Sequence, residues 1–494
     1  MFLSGLKHWW NRPCGVQDLM ALALPLVLST SFWTIMNFTD RMFLLWYSNA
    51  AMAASLPAGM LSFSVICFPL GVISYTSTFV AQYFGAGHPR RIGHMMWQAV
   101  WLAMFTAPLV LCTVPLAPWV FRLVGHEPAV ATLEVTYYQV LAFGAGGVLL
   151  NGAGAAFFTG QGRTRVVMVV DGLAALLNVV LDYAWVFGCW GFPEGGIAGA
   201  AWATVVAQWS SVLMYAWVIS RPYYNRRYAV AAGCRWDRAL LARLFRYGGP
   251  NGLHWLVEVV AFTLFILLVG RLGETAMAAT NLAFNVNSMA WFPMLGLGIA
   301  LSTLVGQQLG ANRPDMAARA TWTALWIALL YMGFFALLYV ATPNLFLLGH
   351  AAGTDPEQFE IIRDTTIVLL RFVAAYCLFD ALNVIFCSAI KGAGDTRFVL
   401  LNVCLLSPLP VAATWYGIAR LDFGLLWAWA CITAWVCLLG LIYLARFVQG
   451  RWRSMRVIEP ELLAPSERPT ESCAATMDCE DDPRDEPLEL TPRS

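Results

Sequence analysis

Charged side chains are scarce in this sequence. Asp, Glu, Lys and Arg together make up 12% of the 494 residues, whereas hydrophobic residues make up 59%. A soluble domain carries about 25% charged residues. The formal net charge is only +1, and the basic residues are spread over many short segments rather than gathered in one patch. The composition therefore indicates an integral membrane protein and does not predict nucleic-acid binding.

Residue patterns of catalytic and metal centres are also missing. The 12 cysteines include no C-x-x-C pair, and most sit singly in apolar runs, as small core residues do. Cys473 and Cys479 near the end of the chain are too isolated to predict a metal site. The six histidines are scattered and form no H-E-x-x-H set, whereas membrane-embedded enzymes gather His, Asp or Glu at the end of a span. We therefore expect no enzyme activity and no cofactor.

Long apolar runs, by contrast, are abundant. Twelve runs reach the roughly 20 residues that a helix needs to cross a bilayer. They cover residues 19–46, 55–82, 95–121, 135–158, 166–188, 196–219, 248–270, 277–306, 318–341, 366–390, 398–419 and 423–446. Lys7 and Arg12 precede the first run, and no short apolar stretch ends in a small-residue cleavage site. The first run is therefore predicted to remain in the membrane as a span.

The loop charges predict the orientation of the chain. Connections between successive spans alternate between two sides of the membrane. The side that holds both termini carries 21 Lys and Arg residues, and the other side carries 4. Because loops rich in Lys and Arg stay in the cytoplasm, both termini are predicted to be cytoplasmic. The protein is expected to be a multi-pass protein of the plasma (inner) membrane.

An internal repeat divides the chain into two halves. The stretch VAQYFGAGHP, residues 80–89, returns as VGQQLGANRP, residues 305–314. The Gly-rich turn GQGRTR that starts at Gly160 returns as GAGDTR at Gly392. Six spans are an even number, so both halves begin on the same side, and the repeats are parallel about an axis along the membrane normal. Repeats of this kind suit alternating access, with substrate bound between the halves.

The repeat predicts the domain organisation. Residues 1–18 form a cytoplasmic segment, 19–219 an N-terminal six-helix lobe, 220–247 a basic cytoplasmic linker, 248–446 a C-terminal six-helix lobe, and 447–494 an acidic cytoplasmic tail. The tail is rich in Asp, Glu and Pro, and this composition predicts disorder. The fold class is therefore an all-α membrane protein with twelve transmembrane helices in two parallel-repeat lobes.

Polar side chains inside the fifth predicted span are the strongest functional signal. Asp171, Asn178 and Asp182 lie at i, i+7 and i+11, so they share one helix face. Carboxyl groups inside a span are costly and persist mainly where they face a bundle interior or a watery cavity. They therefore mark an ion or substrate path.

With both halves in view, the chain resembles the multidrug and toxic compound extrusion (MATE) family. The best matching stretches are LNVVLDYAWVFG followed by GGIAGAAWATVVAQ, and NLAFNVNSMAWFPMLGLGIALSTLVGQQLGA, together with the turns GQGRTR and KGAGDTR. The match covers about residues 15–446. The resemblance implies two six-helix lobes that rock between inward- and outward-open states. It also implies export of cationic amphipathic compounds in exchange for Na⁺ or H⁺.

The sequence is most similar to the bacterial NorM-like subgroup, and this resemblance supplies the candidate site. Residues that match the subgroup's substrate and cation-coupling positions are Asp40, Asn178, Asp182, Glu258, Tyr376 and Asp380. Secondary candidates are Asp171, Asn281, Asn285 and Arg41. Three of these are departures from the pattern. Asn281 stands where many relatives have histidine, Asp171 where many have asparagine, and Arg41 directly follows Asp40.

Depth along the spans sorts the carboxyl groups into two pairs. At about 1.5 Å per residue, Asp40 and Asp182 both lie roughly 10 Å below the outer surface. Glu258 and Asp380 both lie near mid-membrane, and Tyr376 is one turn from Asp380 on the same face. Repulsion and desolvation favour the neutral forms of paired carboxyl groups, so each pair could hold a proton or exchange it for Na⁺ or a cationic substrate. The oxygen ligands of Glu258, Tyr376 and Asp380 suit Na⁺.

Other functions stay open as alternatives. A flippase for a lipid-linked saccharide or another amphipathic lipid belongs to the same superfamily, but such proteins usually have more spans and a basic central cavity. A membrane-embedded enzyme is the contrasting class. The expected partners are small cationic amphipathic substrates and the lipid bilayer. Two lobes in one chain make a monomer sufficient.

Overall fold

A computed structural model of the chain describes residues 12–124, 128–347 and 356–463. All regular structure in these ranges is helical. The α-helices are Val16–Tyr47, Asn49–Ser74, Thr76–Gly85, Pro89–Leu111, Ala117–Val124, Pro128–Gly160, Thr164–Phe187, Gly196–Ile219, Pro222–Tyr228, Arg238–Gly270, Glu274–Gly310, Pro314–Ala341, Pro343–Leu347, Pro356–Ala393, Thr396–Leu406, Pro408–Arg420 and Leu425–Val448. Short 3₁₀ turns cover Val114–Leu116, Arg451–Ser454 and Pro460–Leu462.

Twelve segments are long and apolar enough to cross a membrane, as the sequence predicted. In chain order, spans 1 to 12 are Val16–Tyr47, Asn49–Gly85, Pro89–Arg122, Pro128–Gly160, Thr164–Phe187, Gly196–Ile219, Arg238–Gly270, Glu274–Gly310, Pro314–Ala341, Glu360–Ala393, Thr396–Arg420 and Leu425–Val448. Spans 1–6 form the N-terminal lobe and spans 7–12 the C-terminal lobe. The predicted all-α fold with twelve spans is confirmed.

Helix contacts in one lobe recur at the equivalent spans of the other. Span 4 packs on spans 2, 3 and 6, and span 10 packs in the same way on spans 8, 9 and 12. Span 1 contacts span 5, just as span 7 contacts span 11. Between the lobes, span 1 lies against span 8 and span 2 against span 7. This doubled pattern is what a parallel internal repeat predicts.

The segment that the sequence predicts as a basic linker between the lobes is largely helical. Residues Pro222–Tyr228 form a short helix, and span 7 begins at Arg238 rather than at residue 248. Asp237 caps this helix, because its carboxylate accepts hydrogen bonds from the backbone N–H groups of Ala239 (2.9 Å) and Leu240 (3.1 Å). Arginines in the first turns of span 7 lower its local hydropathy, so a hydropathy window places the start of the span too late.

Two matching polar contacts between the lobes lie at one end of the bundle. We call it the terminal end, because span 1 begins there and spans 2, 4, 8, 10 and 12 finish there. The Gln82 side-chain amide donates to the Gly392 carbonyl oxygen (3.1 Å), and Gln307 donates to that of Gly160 (3.0 Å). Gln82 and Gln307 are equivalent positions of the internal repeat, as are the two Gly-rich turns. The repeat thus builds a symmetric pair of hydrogen bonds across the lobe interface.

Two equivalent glycines let the lobes meet backbone to backbone at this end. A Cβ atom added to Gly85 would overlap the carbonyl oxygen of Gln307, and one added to Gly310 would overlap the carbonyl oxygen of Gln82. Small residues at helix interfaces allow such close approach in membranes. Any side chain at either position would hold the lobes apart at the terminal end.

The segment that follows span 12 is packed, although the sequence predicted disorder from residue 447 onward. Trp452 is 1% exposed and its ring stacks on Phe447 with centroids 4.7 Å apart. Further along, the Val457 N–H donates to the Gln82 side chain (2.8 Å), and Glu459 pairs with Arg243 (2.6 Å). Residues 449–463 therefore cross the terminal end from the C-terminal lobe to the N-terminal lobe. Residues 464–494 of the predicted tail lie outside the described residues.

Trp452→Ala is expected to detach this crossing segment. Losing a buried Trp side chain costs about 3–5 kcal/mol, which corresponds to an increase in local opening of roughly 100-fold or more. Trypsin cleavage after Arg451, Arg453 and Arg456 should accelerate accordingly, as measured by mass spectrometry of timed digests. Trp190→Ala, which removes a Trp that is 69% exposed, is the control. Equal cleavage rates in wild type and Trp452→Ala would show that the ring does not anchor the segment.

Candidate functional site

The first cluster of polar side chains lies inside the N-terminal lobe. It joins Asp40 of span 1 to Asn178 and Asp182 of span 5, as the depth argument predicted. The Tyr137 hydroxyl of span 4 donates to Asp40 Oδ2 (3.1 Å), and the Asn178 side-chain amide donates to Thr204 Oγ1 of span 6 (3.4 Å). Asn178 and Asp182 are both 0% exposed. Four spans thus enclose this cluster.

Oxygen atoms in this cluster outnumber the donors that reach them. The carboxyl groups of Asp40 and Asp182 lie close enough to share a hydrogen bond. Yet within the described part of the chain no N–H or O–H group donates to Asp40 Oδ1, to either oxygen of Asp182 or to Asn178 Oδ1. Burying an unpaired charged oxygen is costly. A proton or a cation between the two carboxyl groups would offset this cost.

The two secondary candidates of the N-terminal lobe differ in their relation to this cluster. Arg41 is exposed, and its guanidinium is close enough to act electrostatically on Asp40 and on the Tyr137 hydroxyl. Asp171 accepts a hydrogen bond from the Ser29 hydroxyl of span 1. It is 11 residues from Asp182, about 16 Å along the helix axis. The helix face that the sequence predicted is real, but its length separates Asp171 from the carboxyl pair.

The second cluster lies inside the C-terminal lobe and contains Glu258 of span 7 with Tyr376 and Asp380 of span 10. The Asp380 carboxyl is close enough to act electrostatically on both Glu258 and the Tyr376 hydroxyl. Its side chain lies close to that of Asn383, one turn further along span 10. Tyr376 and Asp380 are buried, whereas the Glu258 side chain is 40% exposed. The Glu258 side chain is thus partly exposed, whereas that of Asp380 is enclosed.

Two further residues of this cluster were missed from the sequence. His254 Nδ1 lies 3.5 Å from Glu258 Oε2 and 3.3 Å from Lys391 Nζ. In the sequence, His254 is one of six scattered histidines, and Lys391 is one of the basic residues that lie between the predicted spans. The spacing of His254 and Glu258, four residues apart on one helix face, was an available signal. The approach of Lys391 from the end of span 10 was not readable from the sequence.

Asn281 and Asn285 are exposed on span 8, and Leu282 and Val286 form part of its buried face. The Ser288 hydroxyl donates to the Asn285 carbonyl oxygen (2.6 Å), which is a local contact within the helix. Neither asparagine is connected by a described hydrogen bond to Glu258 or Asp380. These two secondary candidates therefore stay predictions that rest on the resemblance.

The C-terminal cluster was also predicted to bind Na⁺ through Glu258, Tyr376 and Asp380. Among the residues that the structure describes, no three His, Cys, Asp or Glu side chains converge as a metal-binding group. The two carboxyl groups and the phenol are hard oxygen donors, which suits an alkali cation. The Lys391 ammonium already places a positive charge beside Glu258. An added cation would have to share this site with the ammonium or displace it.

Comparisons with known proteins identify the family of the chain. A family model described as MatE matches residues 25–184 and 250–414, one stretch from each lobe, and each stretch contains one carboxyl cluster. A protein of Thermotoga maritima named "Probable multidrug resistance protein NorM" is 25% identical over 451 residues, which cover 90% of this chain and 95% of that protein.

Solved structures show the same fold. An outward-facing conformation of a multidrug resistance MATE family transporter superimposes with a TM-score of 0.79 at 19% identity, over 90% of this chain and 97% of that one. A MOP superfamily transporter from Pyrococcus furiosus gives a TM-score of 0.77 at 20% identity, with the same coverage. Because the family model matches more than half of the sequence and both carboxyl clusters fall inside the match, the chain belongs to the MatE family of membrane transporters.

Proposed function

We propose that this transporter exports cationic amphipathic compounds in exchange for Na⁺ or H⁺, by alternating access of its two lobes. The Asp40–Asp182 pair carries the proposal. Three of its four carboxyl oxygens have no hydrogen-bond donor among the described residues, although Asp182 is fully buried. Such a pair is stable when it holds a proton or a cation and is costly when empty and charged. It therefore suits a site that gains and loses positive charge during each cycle.

The exchange follows from competition for the carboxyl groups. Positive charge can neutralise a buried carboxyl pair whether it comes from H⁺, from Na⁺ or from a cationic substrate. Binding of the coupling ion and binding of the substrate would then exclude each other, and each would favour a different access state. The cluster of Glu258, Tyr376 and Asp380 gives the C-terminal lobe a second site of the same kind, with Na⁺ as the predicted ligand.

The access state follows from the lobe contacts together with the charge bias. The interlobe hydrogen bonds described above lie at the terminal end of the bundle. The excess of Lys and Arg assigns this end to the cytoplasm, so the described conformation would be closed to the cytoplasm and open to the outside. The similarity to a structure named as outward-facing supports this interpretation.

Other features of the proposal rest on composition and on the relatives. The multidrug class is supported by the name of the Thermotoga maritima protein. A plasma (inner) membrane location with cytoplasmic termini follows from the loop charges. A monomer is sufficient because both lobes are in one chain. The side chains that carry the site are mainly acidic, which favours cationic substrates over anionic lipid headgroups.

Ethidium efflux from proteoliposomes tests this proposal. Purified protein is reconstituted, and an Na⁺ gradient or a pH gradient is imposed separately. Ethidium fluorescence is followed, with protein-free liposomes and with ionophores that collapse each gradient as controls. We expect export driven by one of the two gradients and abolished by the matching ionophore. Folded protein that exports nothing under either gradient would contradict the proposal, and translocation of a labelled lipid-linked saccharide would then test the flippase alternative.

A further inference from the structure

Lys391 has its side chain in one functional region and its backbone in another. Its ammonium lies 3.3 Å from His254 Nδ1 in the C-terminal cluster. Its carbonyl oxygen accepts a hydrogen bond from the Tyr75 hydroxyl of the N-terminal lobe (2.7 Å). The next carbonyl, that of Gly392, accepts the hydrogen bond from Gln82, also from the N-terminal lobe. One residue thus touches both the acidic cluster and the closed interface between the lobes.

The Lys391 side chain is placed to act as a counter-ion for the Glu258 carboxyl. The Lys391 ammonium interacts electrostatically with the Glu258 carboxyl, and His254 Nδ1 is within 3.5 Å of both groups. That nitrogen can accept a hydrogen bond from Lys391 or, as N–H, donate one to Glu258, but it cannot do both at once. A cation that neutralised Glu258 would remove the attraction that holds the ammonium in place. A lysine side chain is long and flexible enough to leave.

The backbone of the same residue belongs to the interface between the lobes. Lys391 is in the last turn of span 10, immediately before the Gly-rich turn that begins at Gly392. Displacement of this turn would break the hydrogen bonds from Tyr75 and Gln82 together. These two bonds connect the end of span 10 to span 2 of the opposite lobe. The residue whose side chain reaches the acidic cluster is therefore also part of the contact between the lobes.

The equivalent position of the N-terminal lobe has no charged side chain. Its twin turn also accepts an interlobe hydrogen bond, from Gln307 to Gly160. The position that corresponds to Lys391 is Thr159, which is buried and neutral. Both halves of the repeat therefore have the interlobe hydrogen bond, but only the C-terminal half has a charged residue directly before the glycine that accepts it.

We propose that Lys391 is a positioning residue that couples cation occupancy of the Glu258–Asp380 cluster to closure of the lobes at the terminal end. While Glu258 lacks a bound cation, the ammonium pairs with the cluster and the Gly-rich turn holds the N-terminal lobe. When Na⁺ or a cationic substrate neutralises Glu258, the ammonium is released and the two interlobe hydrogen bonds weaken. The inference rests on the proposed cation exchange and deepens it by naming the residue that transmits occupancy.

Hydrogen exchange measured by mass spectrometry tests this coupling without relying on transport. The full chain in nanodiscs is compared with and without about 0.1 M Na⁺, a salt concentration at which surface charge is screened. In wild type, we expect the coupling cation to slow exchange in the peptide around residues 254–262. We also expect it to accelerate exchange by about tenfold in peptides around residues 76–92 and 388–396, because two interlobe hydrogen bonds weaken.

Lys391→Met separates binding from coupling. The variant should keep the cation response around residues 254–262, whereas its interface peptides should no longer respond to the cation. Arg397→Met, which removes an exposed cation six residues further along, is the matched control and should respond as wild type does. Tyr75→Phe removes one interlobe hydrogen bond without altering the cluster, and it should reduce the interface response by about threefold. Tyr75→Phe also tests the coupling on its own if Lys391→Met does not fold.

The outcomes separate this inference from the proposed function. One contrary result is a Lys391→Met variant that shows the wild-type response at residues 254–262 and also the wild-type response of the interface peptides. That result would overturn the coupling role and leave cation exchange standing. A Tyr75→Phe variant whose interface peptides respond to the cation as strongly as those of wild type would have the same meaning. A wild type in which Na⁺ does not alter exchange around residues 254–262 would overturn cation binding at this cluster, and the coupling role with it.

Discussion

Asp182→Asn is expected to abolish gradient-driven export. Asp182 is fully buried, and neither of its oxygens receives a hydrogen bond from an N–H or O–H group in the described ranges. The amide of asparagine is nearly the same size as the carboxyl group, so packing is preserved. It cannot, however, release a proton or neutralise a cation. The substitution therefore removes the exchange chemistry of the pair while leaving the enclosing helices in place.

The expected magnitude follows from the charged contact that is lost. A hydrogen bond or ion contact to a charged group contributes about 1.5–3 kcal/mol, which corresponds to roughly 10–150-fold in the rate or affinity that depends on it. Because the exchanged charge itself is lost, we expect ethidium efflux to fall to the leak rate of empty liposomes. Initial rates in proteoliposomes under the gradient that drives wild type give the measurement.

Asp364→Asn is the matched control for this prediction. Asp364 belongs to span 10, is exposed, and pairs with Arg363 (3.0 Å) outside both clusters. It loses the same charge by the same substitution, and its efflux should stay within about twofold of wild type, because exposed ion pairs contribute about 1 kcal/mol or less. Gradient-driven efflux by Asp182→Asn at wild-type rate would remove the Asp40–Asp182 pair from the mechanism.

Tyr137 extends the same reasoning to a neighbour that the sequence did not single out. Its hydroxyl donates to Asp40, so it satisfies one carboxyl oxygen and leaves the others for the exchanged cation. Tyrosine and threonine are common in membrane helices, and nothing in their spacing marks Tyr137 or Thr204 as part of the cluster. The acidic members were predictable because a carboxyl group in an apolar run is rare and costly. Their neutral partners became visible only when four spans were placed around them.

Depth along a span predicted which carboxyl groups meet, because a membrane fixes the vertical position of each helical residue. Asp40 and Asp182 were placed at the same level, and the structure brings them together. The same argument failed for Lys391, because a lysine side chain reaches well away from its own backbone level. Its backbone lies in the last turn of span 10, at the predicted end of the bundle, whereas its ammonium reaches the acidic cluster. Vertical position alone therefore predicts contacts of short side chains better than contacts of long ones.

The segment after span 12 shows a different limit of composition. Residues 449–463 precede a strongly acidic stretch, and averaging over the whole tail predicts disorder. The individual residues indicate otherwise, since Trp452 can bury a large apolar surface and Val457 can offer a backbone N–H to Gln82. These contacts depend on where the two lobes end relative to each other. That relation is a property of the assembled bundle, so the tail sequence does not contain it.

Gly85→Val and its repeat equivalent Gly310→Val are expected to prevent closure at the terminal end. At each position an added side chain would overlap a backbone carbonyl oxygen of the opposite lobe, at Gln307 and Gln82 respectively. A backbone atom cannot rotate aside as a flexible side chain can. The lobes must therefore separate, and the closed conformation should lose about 1–3 kcal/mol relative to the opened one, the usual cost of overpacking.

This cost corresponds to a shift of roughly 5–150-fold in the equilibrium between the two access states. Double electron–electron resonance between spin labels at Arg90 and Arg319 measures it, since both positions are exposed at the terminal end, one in each lobe. The labels are introduced in a cysteine-free background whose ethidium efflux has first been verified. Either glycine variant should lengthen the main distance, and the similar effect of both would follow from the symmetry of the repeat.

Gly249→Ala controls for the loss of a glycine near the same interface, because an added Cβ there has no heavy atom within 4 Å. Its distance distribution should match that of the unsubstituted protein. Export adds a second test, because alternating access needs both states. A transporter held away from the closed state should still bind ethidium but lose net export by a similar factor. A glycine variant with the original distance distribution would mean that the lobes do not meet through these two positions. The symmetric contact of Gly85 and Gly310 would then not determine closure at the terminal end.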